Sequence, residues 1–138
     1  MTTKDEQYGL AHGYAPIAHK VVCVDFDSTL YPWRPIYEQP DPLPGAAEAV
    51  RRLKDAGYRI VIFTSRLSPT WLASTKYTAS DMLDHIEAVL KRDGIPYDLI
   101  TAEKVPAEVY VDDRAIRFRD GEWPAIVDWI LWSGDDTA

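Results

Sequence analysis

The stretch KVVCVDFDST, residues 20–29, decides how the chain is read. Its first part, Lys20 to Phe26, is a short apolar run rich in β-branched residues and bounded by turn formers, the pattern of a strand covered on both faces. Its second part carries acids. Asp25, Asp27 and Thr29 alternate, and residues two apart on an extended chain point to the same side, so two carboxylates leave the strand together while Phe26 turns away. Close carboxylates repel and lose hydration, so a buried strand rarely ends on such a pair without a cation or a chemical task; the plain alternative is a solvated turn. Cys23, the one cysteine of the chain, is expected to be a small buried hydrophobe with no internal disulfide partner.

Working outward, Tyr31 to Pro44 holds prolines at 32, 35, 40, 42 and 44, which forbids a regular helix and predicts an ordered flap over 31–43. From Pro44 the period changes: Ala46, Ala49, Val50 and Leu53 recur at helical spacing, with Gly57 as the stop. Tyr58 to Phe63 is a second β-type run ending at Thr64-Ser65-Arg66. A loop insertion over 67–79 precedes a second helix marked by Leu83, Ile86, Val89 and Leu90, with Ser80 as its cap and Gly94 as its end. Tyr97 to Thr101 and Glu108 to Val111 read as two further strands, the last ending at Asp112-Asp113. An edge strand or hairpin is expected around Ile116 to Arg119, and then a helix from Pro124 whose Ile126, Trp129 and Ile130 share one face, expected to meet the core, with a dimer face as the other account.

Alternating strands and helices predict an α/β fold: a three-layer, Rossmann-like parallel sheet with helices on both faces, whose strands all present their carboxyl ends at one ligand-binding edge. With 138 residues, 46% of them hydrophobic, one domain over 20–133 is expected, preceded by a loosely ordered lead-in at 1–19. The net charge of −7 argues against broad nucleic-acid binding, which needs a positive footprint. It does not oppose a phosphorylated ligand, since a divalent cation inverts the local field and Arg66, Arg114, Arg117 and Arg119 supply local positive charge. A solvated rim is the other account of those arginines. No apolar run is long enough to span a membrane, and Met1 to Gln7 lacks the pattern of a secretory signal, so a cytoplasmic protein is expected.

The strand ends carry matched chemistry. Thr64 ends the second strand with a hydroxyl able to hold a phosphoryl oxygen, Lys104 precedes the fourth, and Asp112 with Asp113 ends it. Taken singly, each is an ordinary turn or surface residue; their joint occurrence beside DFDST is what singles them out.

With those residues in view, DFDSTL at 25–30, IVIFTSR at 60–66, Lys104 and VYVDDR at 109–114 resemble, in order, the four motifs of the haloacid dehalogenase superfamily. The resemblance spans residues 20 to about 119 and is most specific in its first and last motifs. It implies a Mg²⁺-dependent phosphatase in which Asp25 is the nucleophile, forming an aspartyl-phosphate, and Asp27 is the acid and base. It further implies that Thr64, Ser65, Arg66 and Lys104 hold the phosphoryl group. Asp25, Asp112 and the backbone carbonyl of Asp27 are the implied metal ligands, with Asp113 reached directly or through water. Elementary chemistry agrees, because a carboxylate attacking a phosphate dianion needs a cation to cancel the repulsion, and Mg²⁺ takes few protein carboxylates. The acid at position 27 favours phosphoryl chemistry over dehalogenation, with hydrolysis preferred to transfer.

Neither insertion, 31–43 or 67–79, is large enough for the cap domain that many members of this superfamily carry, so the chain resembles the capless type. Three substrate arrangements stay open: a broad phosphorylated macromolecule or nucleic-acid end, a small molecule under the flap, or a lid from another subunit of a homo-oligomer. Tyr31, Trp33, Tyr37 and Trp71 in those loops either stack on a base or sugar or pin the loops by packing. Two alternatives to the enzyme are a catalytically silent binding protein of the same fold and a receiver-like phosphoacceptor module; receivers place the acidic pair first, and here it comes last.

Overall fold

The computed structural model describes residues 19–135 apart from 37 and 39; the expected lead-in, up to residue 18, and Tyr37 lie outside the described residues. Four strands, β1 (Val21–Asp25), β2 (Arg59–Phe63), β3 (Leu99–Thr101) and β4 (Val109–Val111), form one parallel sheet in the order β3-β2-β1-β4. The helices are α1 (Ala46–Asp55), α2 (Pro69–Ala73), α3 (Ala79–Arg92) and α4 (Trp123–Asp135). The α/β parallel-sheet expectation is met.

From β1 to β2 to β3 the chain advances one way across the sheet. Two right-handed crossovers in one direction place their helices on one face. Accordingly Val50 of α1 and Ile86, Val89 and Leu90 of α3 share one buried cluster with Val22, Val24, Ile60 and Ile62. Ile60, Ile62, Ile86 and Leu90 are wholly buried, each contributing roughly 1.5–3 kcal/mol relative to exposure. The return from β3 to β4 crosses the opposite face, where Val105 and Ala107 pack on Val21, Cys23 and Val61. Among the described residues no helix contributes to that second cluster; the irregular 102–108 segment covers it. Cys23 is free and buried, as expected.

Local chemistry sets the boundaries. Gly57 (φ 93°) and Gly94 (φ 64°) follow α1 and α3 in the left-handed region that glycine tolerates, as the sequence predicts. The cap of α3 is Thr78, not Ser80: the Thr78 hydroxyl accepts from the Asp81 N–H at 3.1 Å, and the Asp81 carboxylate accepts from the Thr78 N–H at 3.0 Å. This reciprocal box satisfies two N–H groups, which Ser80, already inside the helix, does not do.

Three expectations are corrected. The 67–79 insertion contains α2, begun by the Ser68 hydroxyl accepting from the Trp71 N–H at 3.2 Å with Pro69 in its first turn. Residues 116–119 form no strand, although 120–121 do turn. The α4 side chains described do not enter the core: Ile126 is half-buried outside it, Trp129 and Ile130 are more than half exposed, and Leu131 and Trp132 more so. That helix follows β4, an edge strand whose own Val109 and Val111 are exposed, so no buried surface reaches it among the described residues.

Candidate functional site

β1 lies between β2 and β4, so it is where the strand order reverses, and the carboxyl ends on either side diverge to leave a crevice. In the register of β1 and β4, Val24 is opposite Val111, which brings Asp25 level with the residues just after β4. There Asp25, Asp112 and Asp113 each offer a carboxylate oxygen, all within 4.8 Å of one another. They line an open cleft of about 510 Å³ together with Ser28, Phe63 and Ser65.

A tight turn after β1 presents the acids. The Phe26 carbonyl accepts from the N–H groups of both Leu30 and Tyr31, each at 3.1 Å, and Ser28 takes a φ of 60°, a strained value for a residue with a Cβ. The turn brings Thr29 back over the strand end, where its hydroxyl is 3.3 Å from Asp25 Oδ2 and 3.5 Å from Asp113 Oδ1. Asp112 Oδ1 accepts from the Arg114 N–H at 2.7 Å. The two long hydroxyl contacts, the backbone bonds to Asp112 and Asp25 and the Arg114 guanidinium 3.9 Å from Asp113 do not cancel the repulsion of three close acids. The Asp25 carboxyl is pushed up to about 7, chiefly by burial, then by its hydrogen bond to Asp113 and the Asp112 charge.

This donor set suits a hard cation. Mg²⁺ binds oxygens at about 2.0–2.1 Å, so its ligands stand roughly 3–4 Å apart, and the three carboxylate oxygens here lie within 4.8 Å of one another. Asp25, Asp112 and Asp113 are therefore the residues that could hold it.

Asp27 lies apart from that cluster. Its carboxylate is clamped by Arg66, with Nε to Oδ2 at 2.8 Å and Nη2 to Oδ1 at 2.7 Å, and Arg66 Nη2 also donates to the Arg34 carbonyl at 2.9 Å. The Arg66 side chain is only 6% exposed and its guanidinium lies over the Phe26 ring. Arg66, expected to hold a phosphoryl group, lines the cleft with its fork engaged by Asp27, whose carboxylate it positions. His85 of α3 stands near the pair, its pKa lowered by burial and then by the Arg66 charge.

Thr64, 1% exposed, accepts from the Arg66 N–H at 3.2 Å and caps the short 3₁₀ turn Ser65–Leu67; the neighbouring Ser65 lines the cleft. The structure does not bring Lys104 against Asp25. The lysine is exposed, with its ammonium 5.9 Å from the centre of the Tyr110 ring, and Tyr110 meets the cleft-wall residue Phe63 edge to face at 5.7 Å. Arg114 does line the cleft, its side chain 92% exposed and 3.9 Å from Asp113; Arg117 and Arg119 are exposed and do not line the cleft.

Sequence reasoning missed Thr29 as a bridge between Asp25 and Asp113, although its place in the alternation signalled that it shares their side. The Asp27–Arg66 clamp had no such signal, because the two are 39 residues apart. No helix among the described residues is long and apolar enough to cross a membrane.

Neither a protein-family model nor a curated protein matches the chain. Among solved structures, a conserved protein from Bacteroides thetaiotaomicron matches with a TM-score of 0.50 and 19% identity, over 82% of this chain and 90% of that one. A protein from Vibrio cholerae matches with a TM-score of 0.51 and 24% identity, over 80% of this chain and 98% of that one. At these identities the likeness establishes the fold alone: the chain shares an α/β parallel-sheet architecture with both.

Proposed function

We propose that this chain is a Mg²⁺-dependent phosphomonoester hydrolase of the haloacid dehalogenase type, working through an aspartyl-phosphate on Asp25. The observation that carries the reading is the meeting of Asp25 with Asp112 and Asp113, distant in sequence, within 4.8 Å at the switch point of the sheet. A Mg²⁺ ion held by these three would offset their like charges, keep Asp25 ionised and lessen its repulsion of a phosphate dianion.

The chain's own residues then have distinct tasks. Asp25, held by the Thr29 hydroxyl at 3.3 Å, attacks phosphorus as the bond to the leaving oxygen breaks. Asp27 passes a proton to that oxygen and later takes one from the water that cleaves the acyl phosphate, giving an alcohol and inorganic phosphate. To do so Asp27 must loosen one arm of the Arg66 clamp, which otherwise fixes its direction. Ser65 and Arg114, which line the cleft, would meet phosphoryl oxygens; Lys104 would have to swing off Tyr110 to join them.

The test is phosphate release from phenyl phosphate with Mg²⁺. Release is expected to vanish with EDTA and in Asp25→Asn, whereas Asp27→Asn should slow turnover yet keep Mg²⁺ affinity by calorimetry. Full activity in Asp25→Asn would remove the nucleophile.

A further inference from the structure

Beside the acidic cleft lies a second cavity of about 190 Å³, walled by Trp33, Pro35, Ile36, Trp71 and Tyr77, with Arg34 and Arg66 at its polar side. Trp33, Arg66 and Trp71 belong to the walls of both cavities, so the two adjoin. We propose that this aromatic pocket receives a planar ring of the phosphomonoester whose phosphoryl group sits at Asp25, so that the substrates are nucleoside or aryl monophosphates. The assignment rests on the phosphatase reading and specifies its substrate class.

Four observations support it. First, loop anchoring is already supplied by another ring: Tyr31 is buried, packs on Phe26 with centroids 4.9 Å apart, and donates its hydroxyl to Asp93 at 2.6 Å. Trp33, 58% exposed, is not needed for that, and neither Trp33 nor Trp71 has an aromatic partner among the described residues. Second, the backbone that carries each indole is braced before any ligand arrives. Trp33 sits between Pro32 and Arg34-Pro35, with its carbonyl accepting from Arg34 Nη1 at 2.7 Å, and Trp71 rides on the capped helix α2. Such preorganisation lowers the ordering cost of binding.

Third, the size is selective. Drug-sized ligands occupy about 300–1,000 Å³, so a cavity of 190 Å³ takes one planar group, leaving the remainder of the ligand to the adjoining cleft. Fourth, no lining residue is acidic and both charged ones are arginines, which disfavours a cationic ring. A long polyanion is disfavoured by the net charge of −7, which leaves small phosphomonoesters as the better match.

The test compares kcat/KM, with Mg²⁺, for adenosine 5′-monophosphate, phenyl phosphate and glycerol 3-phosphate in the native chain, Trp33→Ala and Trp71→Ala. Stacking on an aromatic side chain is worth about 1–3 kcal/mol per base, so at least one ring-bearing substrate should exceed the ringless one by about tenfold or more. That ratio should shrink toward one in both variants; which ring-bearing arm leads distinguishes nucleoside from aryl substrates. A native ratio near one, or a ratio unchanged in both variants, overturns the assignment. Trp33 lies outside the core, so Trp33→Ala decides the matter if Trp71→Ala does not fold. If no phosphomonoester is turned over, the phosphatase reading fails and quenching of tryptophan fluorescence by adenosine 5′-monophosphate decides the ring site. Quenching that weakens in the variants sustains it, and absence of quenching overturns it.

Discussion

Replacing Asp25 by Asn should stabilise the metal-free protein at neutral pH and above. Three acids within 4.8 Å, short of compensating donors, raise the Asp25 carboxyl from 3.8 to about 7, first through burial and then through Asp113 and Asp112. The folded value lies above the unfolded one, so the folded state holds a proton that the unfolded state releases between about pH 4 and pH 7. Stability is therefore present below pH 4, is lost as pH rises through 7, and stays lost beyond it. A rise from 3.8 to about 7 corresponds to about 4 kcal/mol, which solvent screening in an open cleft with an exposed Asp113 reduces to about 2 kcal/mol. Asparagine keeps an acceptor for Thr29 but carries no charge, so it should recover that amount at pH 8 and little at pH 4. Urea denaturation in EDTA should show the variant's midpoint about 1 M above the native one at pH 8, with the curves converging at pH 4. Saturating Mg²⁺ should reverse the order by stabilising the native chain, by about 2.7 kcal/mol at one hundred times the dissociation constant. Equal or lower stability of the variant at pH 8 in EDTA would refute the electrostatic account.

Two further outcomes follow from single contacts. Arg66→Lys keeps the charge but loses the two-pronged grip on Asp27 and the bond to the Arg34 carbonyl, and should cost about 2 kcal/mol in urea denaturation while lowering kcat more than it changes KM. Thr78→Ala removes one half of the box that starts α3 and should cost about 1 kcal/mol with kcat/KM unchanged, whereas Ser80→Ala, which leaves that box intact, should cost less in the same denaturation series.

Much of this was written in local sequence. The β-branched runs at 20–26 and 58–63 and the periodic helices around 46–53 and 83–90 determined an α/β parallel fold, because burial pattern depends on side-chain period alone. The alternation of Asp25, Asp27 and Thr29 and the pair Asp112-Asp113 marked strand ends that the sheet brings together. What only tertiary structure decided were pairings between residues with no periodic relation. Arg66 was expected to face a phosphate and instead holds Asp27, because a guanidinium buried beside a carboxylate gains more from a two-pronged bond than from solvent. Lys104 sits on Tyr110, since a long flexible cation takes whichever surface its loop offers. Tyr31 went into the core while Trp33, two residues away in the same proline-rich loop, stayed at the cleft. The aromatics of α4 remained outside because apolar character predicts burial only where the fold supplies a partner surface, and the edge strand β4 supplies none among the described residues.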